Sequence, residues 1–188
     1  MKLNLLKNLM IPSLVIGASL FASCDEDAGI QINIPQTQEV IYEIPPITNT
    51  SLSQLDTIES QLDSLLTANN ATKDDIDQIT LTNLSLAFTD ANGVVNTNQN
   101  FNNIKSVNLS IAEINGSFSA IQSIDSAQMS AFNNVNPLVF PALTVYPNLL
   151  PYITQNSFRV QLNGSLFAPT TQTYFIKSTM TFQISVTL

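Results

Sequence analysis

From Tyr174 to Thr187 the chain alternates side by side for most of its length. Tyr174, Ile176, Met180, Phe182, Ile184 and Val186 fall on one side, and Lys177, Thr179, Thr181, Gln183, Ser185 and Thr187 on the other. A helix, with a period of 3.6, would scatter such a pattern around its axis. A strand, with a period of 2, sorts it into two faces. One face must then meet a core and the other water, which is the signature of an antiparallel sheet. The preceding run, with Phe158, Val160, Leu162 and Leu166 on one face, is a second strand. Together they are expected to form a closing hairpin over residues 157–188, central in its sheet because these strands are the longest.

Other segments repeat the pattern more briefly. Ile30, Ile32 and Ile34 alternate with Gln31 and Asn33 before Pro35 ends the run; Val40, Tyr42 and Ile44 resume it before Pro45 and Pro46. Prolines at strand ends suit edge positions, where a missing N–H costs nothing. Leu84, Leu86 and Phe88 mark a strand that ends in the turn Asp90-Ala91-Asn92-Gly93, where Asn-Gly readily supplies positive φ. An asparagine-rich loop leads to a strand with Val107, Leu109 and Ile111, and Asn115-Gly116 turns into Phe118–Ile121.

Residues 52–66 read differently. Leu52, Leu55, Ile58, Leu62, Leu65 and Leu66 recur at three- and four-residue spacing, with Gln54, Asp56, Glu59 and Asp63 opposite. The spacing predicts an amphipathic helix opened by a Ser51–Gln54 capping box. Thr72 with Asp75 predicts a second, single turn, and Asp125 or Ser126 caps a short helix after residue 125. Four prolines between 137 and 151 break that apolar stretch into turns, with one helical turn near residues 148–154. The expected fold is mainly β: an antiparallel sandwich of the immunoglobulin-like or Greek-key kind, with one helix near 52–66.

Composition narrows function. Charged residues are 11% of the chain, the net charge is −8, and there is no His, no Trp and a single Cys. A nucleic-acid surface needs a basic face, which this chain lacks. Catalytic triads with His or Cys are excluded, and zinc, haem and copper sites nearly so. Glu39, Glu43, Asp90 and Glu113 lie at strand ends and are the carboxylates from which an acid–base pair would have to come. Solvated surface roles account for the other acids, so the chain is expected to be non-catalytic, with no cofactor and no metal. Asp90–Gly93 and the Asp74, Asp75, Asp77 group read as turn and cap rather than as calcium loops, since no bidentate Glu follows at loop spacing.

The first 23 residues stand apart. Lys2 and Lys7 precede an apolar stretch from Leu9 to Ala22, too short to span a bilayer, ending in Leu20-Phe21-Ala22-Ser23-Cys24. This resembles the lipobox of bacterial lipoproteins, in the loosened form, with Phe21, similar to that of Bacteroidota. The resemblance implies removal of residues 1–23, and a lipid anchor (diacylglycerol and palmitate-type acyl chains) on Cys24. Asp25, Glu26 and Asp27 follow at once and resemble the surface-export signal of the same group. An outer-membrane, cell-surface location is therefore expected, with a periplasm-facing one as the alternative. The organisation is then signal 1–23, acidic tether 24–29 and one sandwich domain 30–188.

The triplets Asp56-Thr57-Ile58, Asp63-Ser64-Leu65 and Asp125-Ser126-Ala127 resemble an O-glycosylation acceptor of exported Bacteroidota proteins, making Thr57, Ser64 and Ser126 candidate acceptors. Leu81–Asp90, Ile104–Val107 and Phe175–Val186 are similar in pattern to uncharacterised sandwich lipoproteins of that group. Three roles follow as expectations: an accessory that binds an outer-membrane protein partner; a glycan binder using Tyr146 and Tyr152; or an adhesin or fimbrial subunit that exchanges strands. An exposed apolar patch would favour the first, an exposed Tyr pair the second, and a groove left open by the C-terminal strand the third.

Overall fold

The computed structural model describes residues 30–131, 135–140 and 148–188. Eight strands follow in chain order: β1 (Gln31–Ile44), β2 (Ser51–Glu59), β3 (Ile76–Thr89), β4 (Ile104–Glu113), β5 (Ser119–Asp125), β6 (Leu138–Val139), β7 (Ser157–Leu166) and β8 (Tyr174–Thr187). Three short helices, α1 (Leu62–Ala68), α2 (Ser126–Ala131) and α3 (Leu150–Ile153), lie in the connections. The strands form two antiparallel four-stranded sheets, in the orders β1-β8-β3-β6 and β2-β7-β4-β5. Only β4 and β5 are both consecutive and paired; every other connection carries the chain from one sheet to the other. That is the double Greek key of a jelly roll. An immunoglobulin sandwich, by contrast, keeps strands A and B together in one sheet.

The mainly β sandwich stands as expected, and β8 is its spine. It lies between β1 and β3, with all 14 residues of β1 paired to it, from Gln31↔Thr187 to Ile44↔Tyr174. Ile176, Ser178, Met180, Phe182, Ile184 and Val186 point inward, each at most 1% exposed. Across the core Phe182 meets Phe158 of β7 edge to face, with ring centroids 6.5 Å apart. The expected hairpin over 157–188 does not form. Both strands are central, but in opposite sheets, because each has a largely apolar face and they bury these faces against one another.

Two other expectations are corrected. Pro35 does not end a strand: β1 runs through it, with every second residue from Ile34 to Ile44 buried. As an edge strand β1 has one side free of ladder bonds, and a proline there is tolerated. The helix at 52–66 is only half present. Residues 51–59 form β2, paired along its whole length with β7, and only Leu62–Ala68 are α-helical. Leu52 and Ile58 are six apart, an even spacing that puts both on the inner strand face; Leu55 is left 54% exposed outside. Sheet pairing outweighed the helical spacing in residues 51–59, where Leu55 is the residue out of phase with a strand. The helix that remains buries Leu62 and Leu66, and no capping bond forms at Ser51.

The turn signals were better guides. Gly93 has φ +80°, its N–H bonds to the Asp90 carbonyl, and the Asp90 carboxylate accepts the N–H groups of Asn92 and Val94. Thr72 and Asp75 make the capping box, though it opens only a 3-10 turn, Lys73–Asp75, before β3 begins. Asp125 and Gln128 cap α2 reciprocally, at 2.9 Å each way.

The two ends of the sandwich differ. β1 starts beside the last residue of the chain, with Ile30 and Leu188 exchanging backbone hydrogen bonds. At the opposite, far end lie residues 45–50, 90–103, 126–131 with 135–137, and 167–173. Ile47 exchanges bonds with Thr170, and the Asn103 side chain brackets Ala168 at 3.0 Å on both its N–H and C=O. Asn136 receives the Phe88 N–H and donates to the carbonyls of Phe88 and Asn96. The asparagine surplus of the far loops is thus spent largely on holding the loops together.

Candidate functional site

Cys24, Asp25, Glu26, Asp27 and Tyr146 lie outside the described residues. Tyr152 stands on α3, half buried against the core, its hydroxyl donating to Ser119 at 2.9 Å. Of the glycosylation candidates, Thr57 is exposed on strand β2 rather than on a helix. Ser64 is exposed on α1, and Ser126 is the half-buried first residue of α2.

The candidate carboxylates are dispersed. Glu39 and Glu43 sit on the outer face of β1, Asp90 in the far-end turn, and Glu113 at the end of β4 in the other sheet. Glu39 pairs with Lys177 at 3.2 Å. Asp75 is held by the hydroxyl and then the backbone N–H of Thr72, which keep its carboxyl below the usual carboxylate range. Asp77 accepts from Thr187 at 2.7 Å. Among the described residues no group of three or more potential ligands is placed to hold a metal ion, and no helix is long and apolar enough to cross a membrane.

A cleft that the sequence did not announce lies where β2 passes into α1 and the chain re-enters at β7. Its volume is about 320 Å³. The Glu59 and Asp63 carboxylates and the amides of Gln61, Gln155 and Asn156 line it, with Lys73 at one side held to Asp63 at 2.9 Å. The floor is Ser60, 2% exposed and fully bonded. Its N–H donates to the Asn156 carbonyl at 2.9 Å and its hydroxyl to the Ile153 carbonyl at 2.8 Å. The same hydroxyl accepts from Leu62, and the Ser60 carbonyl takes the side-chain amide of Gln36 from the other sheet. Gln61 then turns the chain with φ 52°, a left-handed conformation uncommon for a residue with a Cβ.

No protein-family model matches the sequence, and no curated protein matches it. Among solved structures, the chain is similar to one from Desmodium yellow mottle tymovirus, at 14% identity over 90% of this chain and 95% of that one, with a TM-score of 0.29. It is also similar to one from turnip yellow mosaic virus, at 12% identity over 93% and 90%, with a TM-score of 0.30. Likeness at this level carries no argument about function.

The other chemically notable feature is an inner face that is not wholly apolar. Gln36, Gln38 and Tyr42 of β1 point inward, as does Ser178 of β8. The Tyr42 hydroxyl, the Ser178 hydroxyl and the Gln36 carbonyl oxygen have no hydrogen-bond partner among the described residues. Burial, and secondarily the Asp56 carboxylate, push the Tyr42 phenol well above its ordinary pKa. Period-2 reading of β1 could have found this polar seam, because Gln36 and Gln38 fall in phase with Ile34 and Val40.

Proposed function

We propose that the chain is a non-catalytic lipoprotein, anchored through Cys24 to the outer membrane and facing the cell surface, whose far-end loops bind a protein partner. The observation that carries this is the division between the ends of the sandwich. The tether 24–29 leads directly into Ile30 and β1, so an anchor at Cys24 holds that end at the bilayer. β1 is 14 residues long, and at about 3.3 Å per residue the far loops stand roughly 45 Å further out. Those loops carry Val94, Val95, Val135 and Phe167, exposed by 64%, 36%, 48% and 58%. Asn136 and Asn103 hold their backbones in place, so the apolar side chains are presented on a fixed surface and lose little further freedom on binding.

Strand exchange finds no comparable support, since β8 is paired on both sides and leaves no groove. The test is affinity capture of the full lipoprotein from detergent-solubilised outer membranes. A stoichiometric membrane-protein partner that is lost with Phe167→Ser plus Val94→Ser supports the reading. Capture that is indifferent to the loop changes refutes it. Separately, Cys24→Ala should move the protein from the membrane to the soluble fraction; continued membrane retention would end the anchor proposal.

A further inference from the structure

Away from the far loops, the cleft at Ser60 has the chemistry of a second site. We infer that it binds a small carbohydrate, one or two sugar rings, oriented by hydrogen bonds. At about 320 Å³ it falls at the small end of ligand pockets.

Elimination by charge and polarity leaves few alternatives. Asp63 is neutralised by Lys73, so the remaining formal charge is that of Glu59, which disfavours phosphates and other anions. One free carboxylate makes a poor cation site, since calcium takes six to eight oxygens. No aromatic side chain lines the cleft and its one large apolar residue, Leu62, is 1% exposed, so an apolar ligand finds no continuous apolar wall, although carbon atoms make up about half of the lining surface. Neutral, hydroxyl-rich ligands remain, and they match the lining. Each amide of Gln61, Gln155 and Asn156 offers two donors and an acceptor, and the Glu59 carboxylate offers acceptors only.

Two further observations point the same way. The bonds that fix the floor run through the backbone and through Ser60, and the side chains of Glu59, Gln61, Gln155 and Asn156 take no part in them. The donors and acceptors around the rim therefore stand over a surface that is already organised. Beneath it, Gln36 is 6% exposed, gives its amide nitrogen to the Ser60 carbonyl, and has a carbonyl oxygen with no partner among the described residues. The amide hydrogen bond from Gln36 adds to that organisation, while the unpartnered oxygen is buried below the floor and outside the lining of the cleft.

An open cleft without an aromatic platform places the affinity in the millimolar range. The experiment is saturation-transfer NMR on the full lipoprotein in detergent micelles, with cellobiose, maltose and chitobiose as probes and glycerol as control. Saturation of at least one disaccharide, reduced at least fivefold in both Glu59→Gln and Gln155→Ala while the thermal transition is unchanged, supports the site. No transfer to any of the three, transfer matched by glycerol, or transfer undiminished in the variants overturns it. The Phe167→Ser plus Val94→Ser protein separates the two sites: it should lose the protein partner and keep the sugar signal.

Discussion

At the scale of single residues, the informative ones are those whose chemistry disagrees with their surroundings. Tyr42 buries a hydroxyl that has no partner among the described residues, so Tyr42→Phe should be neutral or stabilising by about 1 kcal/mol in urea unfolding, where most core changes destabilise. Its raised pKa has a signed consequence. An unfolded tyrosine ionises near pH 10, whereas the buried phenol stays neutral. Stability from this group is therefore intact below about pH 10 and lost as pH rises above it. Thermal melts of Tyr42→Phe should show a shallower alkaline decline; parallel declines would mean that the hydroxyl is solvated. Asp75 acts in the opposite sense, its contribution being present above about pH 4 and lost on acidification.

Gly164 illustrates a backbone demand. A Cβ there would collide with the Ser106 carbonyl oxygen, beside the register shift that separates Ile104 and Ser106 in the β4–β7 ladder. The backbone itself would have to move, so Gly164→Ala should cost about 1–3 kcal/mol, read as a lowered urea midpoint.

At the scale of elements, alternation was legible wherever a strand has one wet face. β8, β7, β4 and the ends of β1 were readable in this way, and so were the turns at Asp90–Gly93, where Gly93 takes a positive φ, and at Asn115–Gly116. What could not be read was partnership. Nothing in residues 157–188 says whether two well-patterned strands join each other or face each other across a core. The pattern of residues 51–59 was compatible with either period, and the choice was made by β7, a hundred residues away in sequence. The cleft was illegible for the same reason, being assembled from residues 59–64 and 155–157 with Lys73, none of which belongs to a motif. β2 can be checked directly. Leu55→Thr should change stability by no more than about 0.5 kcal/mol, whereas Ile58→Ala should cost about 2–5 kcal/mol. A helix with both residues in its apolar stripe would make the two losses similar.

At the scale of the whole molecule, the jelly-roll path places the loops of four separate connections at one end and both β1's start and β8's finish at the other. Asn136, through its three bonds, links two of those connections. Asn136→Ala should accelerate amide hydrogen exchange at Phe88 and across 90–103 while leaving β1 and β8 protected. Uniform acceleration would instead indicate global destabilisation.

The register of β1 against β8 has a mechanical side as well. If the domain is tethered at residue 30 and pulled from its far loops, the force runs along β1, and its 14 residue pairs with β8 are loaded in shear, sharing the tension. Pulled instead between residues 30 and 188, which sit side by side, the same ladder opens one rung at a time. Optical-tweezer attachment at residues 30 and 93 should therefore require several times the rupture force of attachment at 30 and 188. A domain built this way resists traction between the start of its first strand and its far loops.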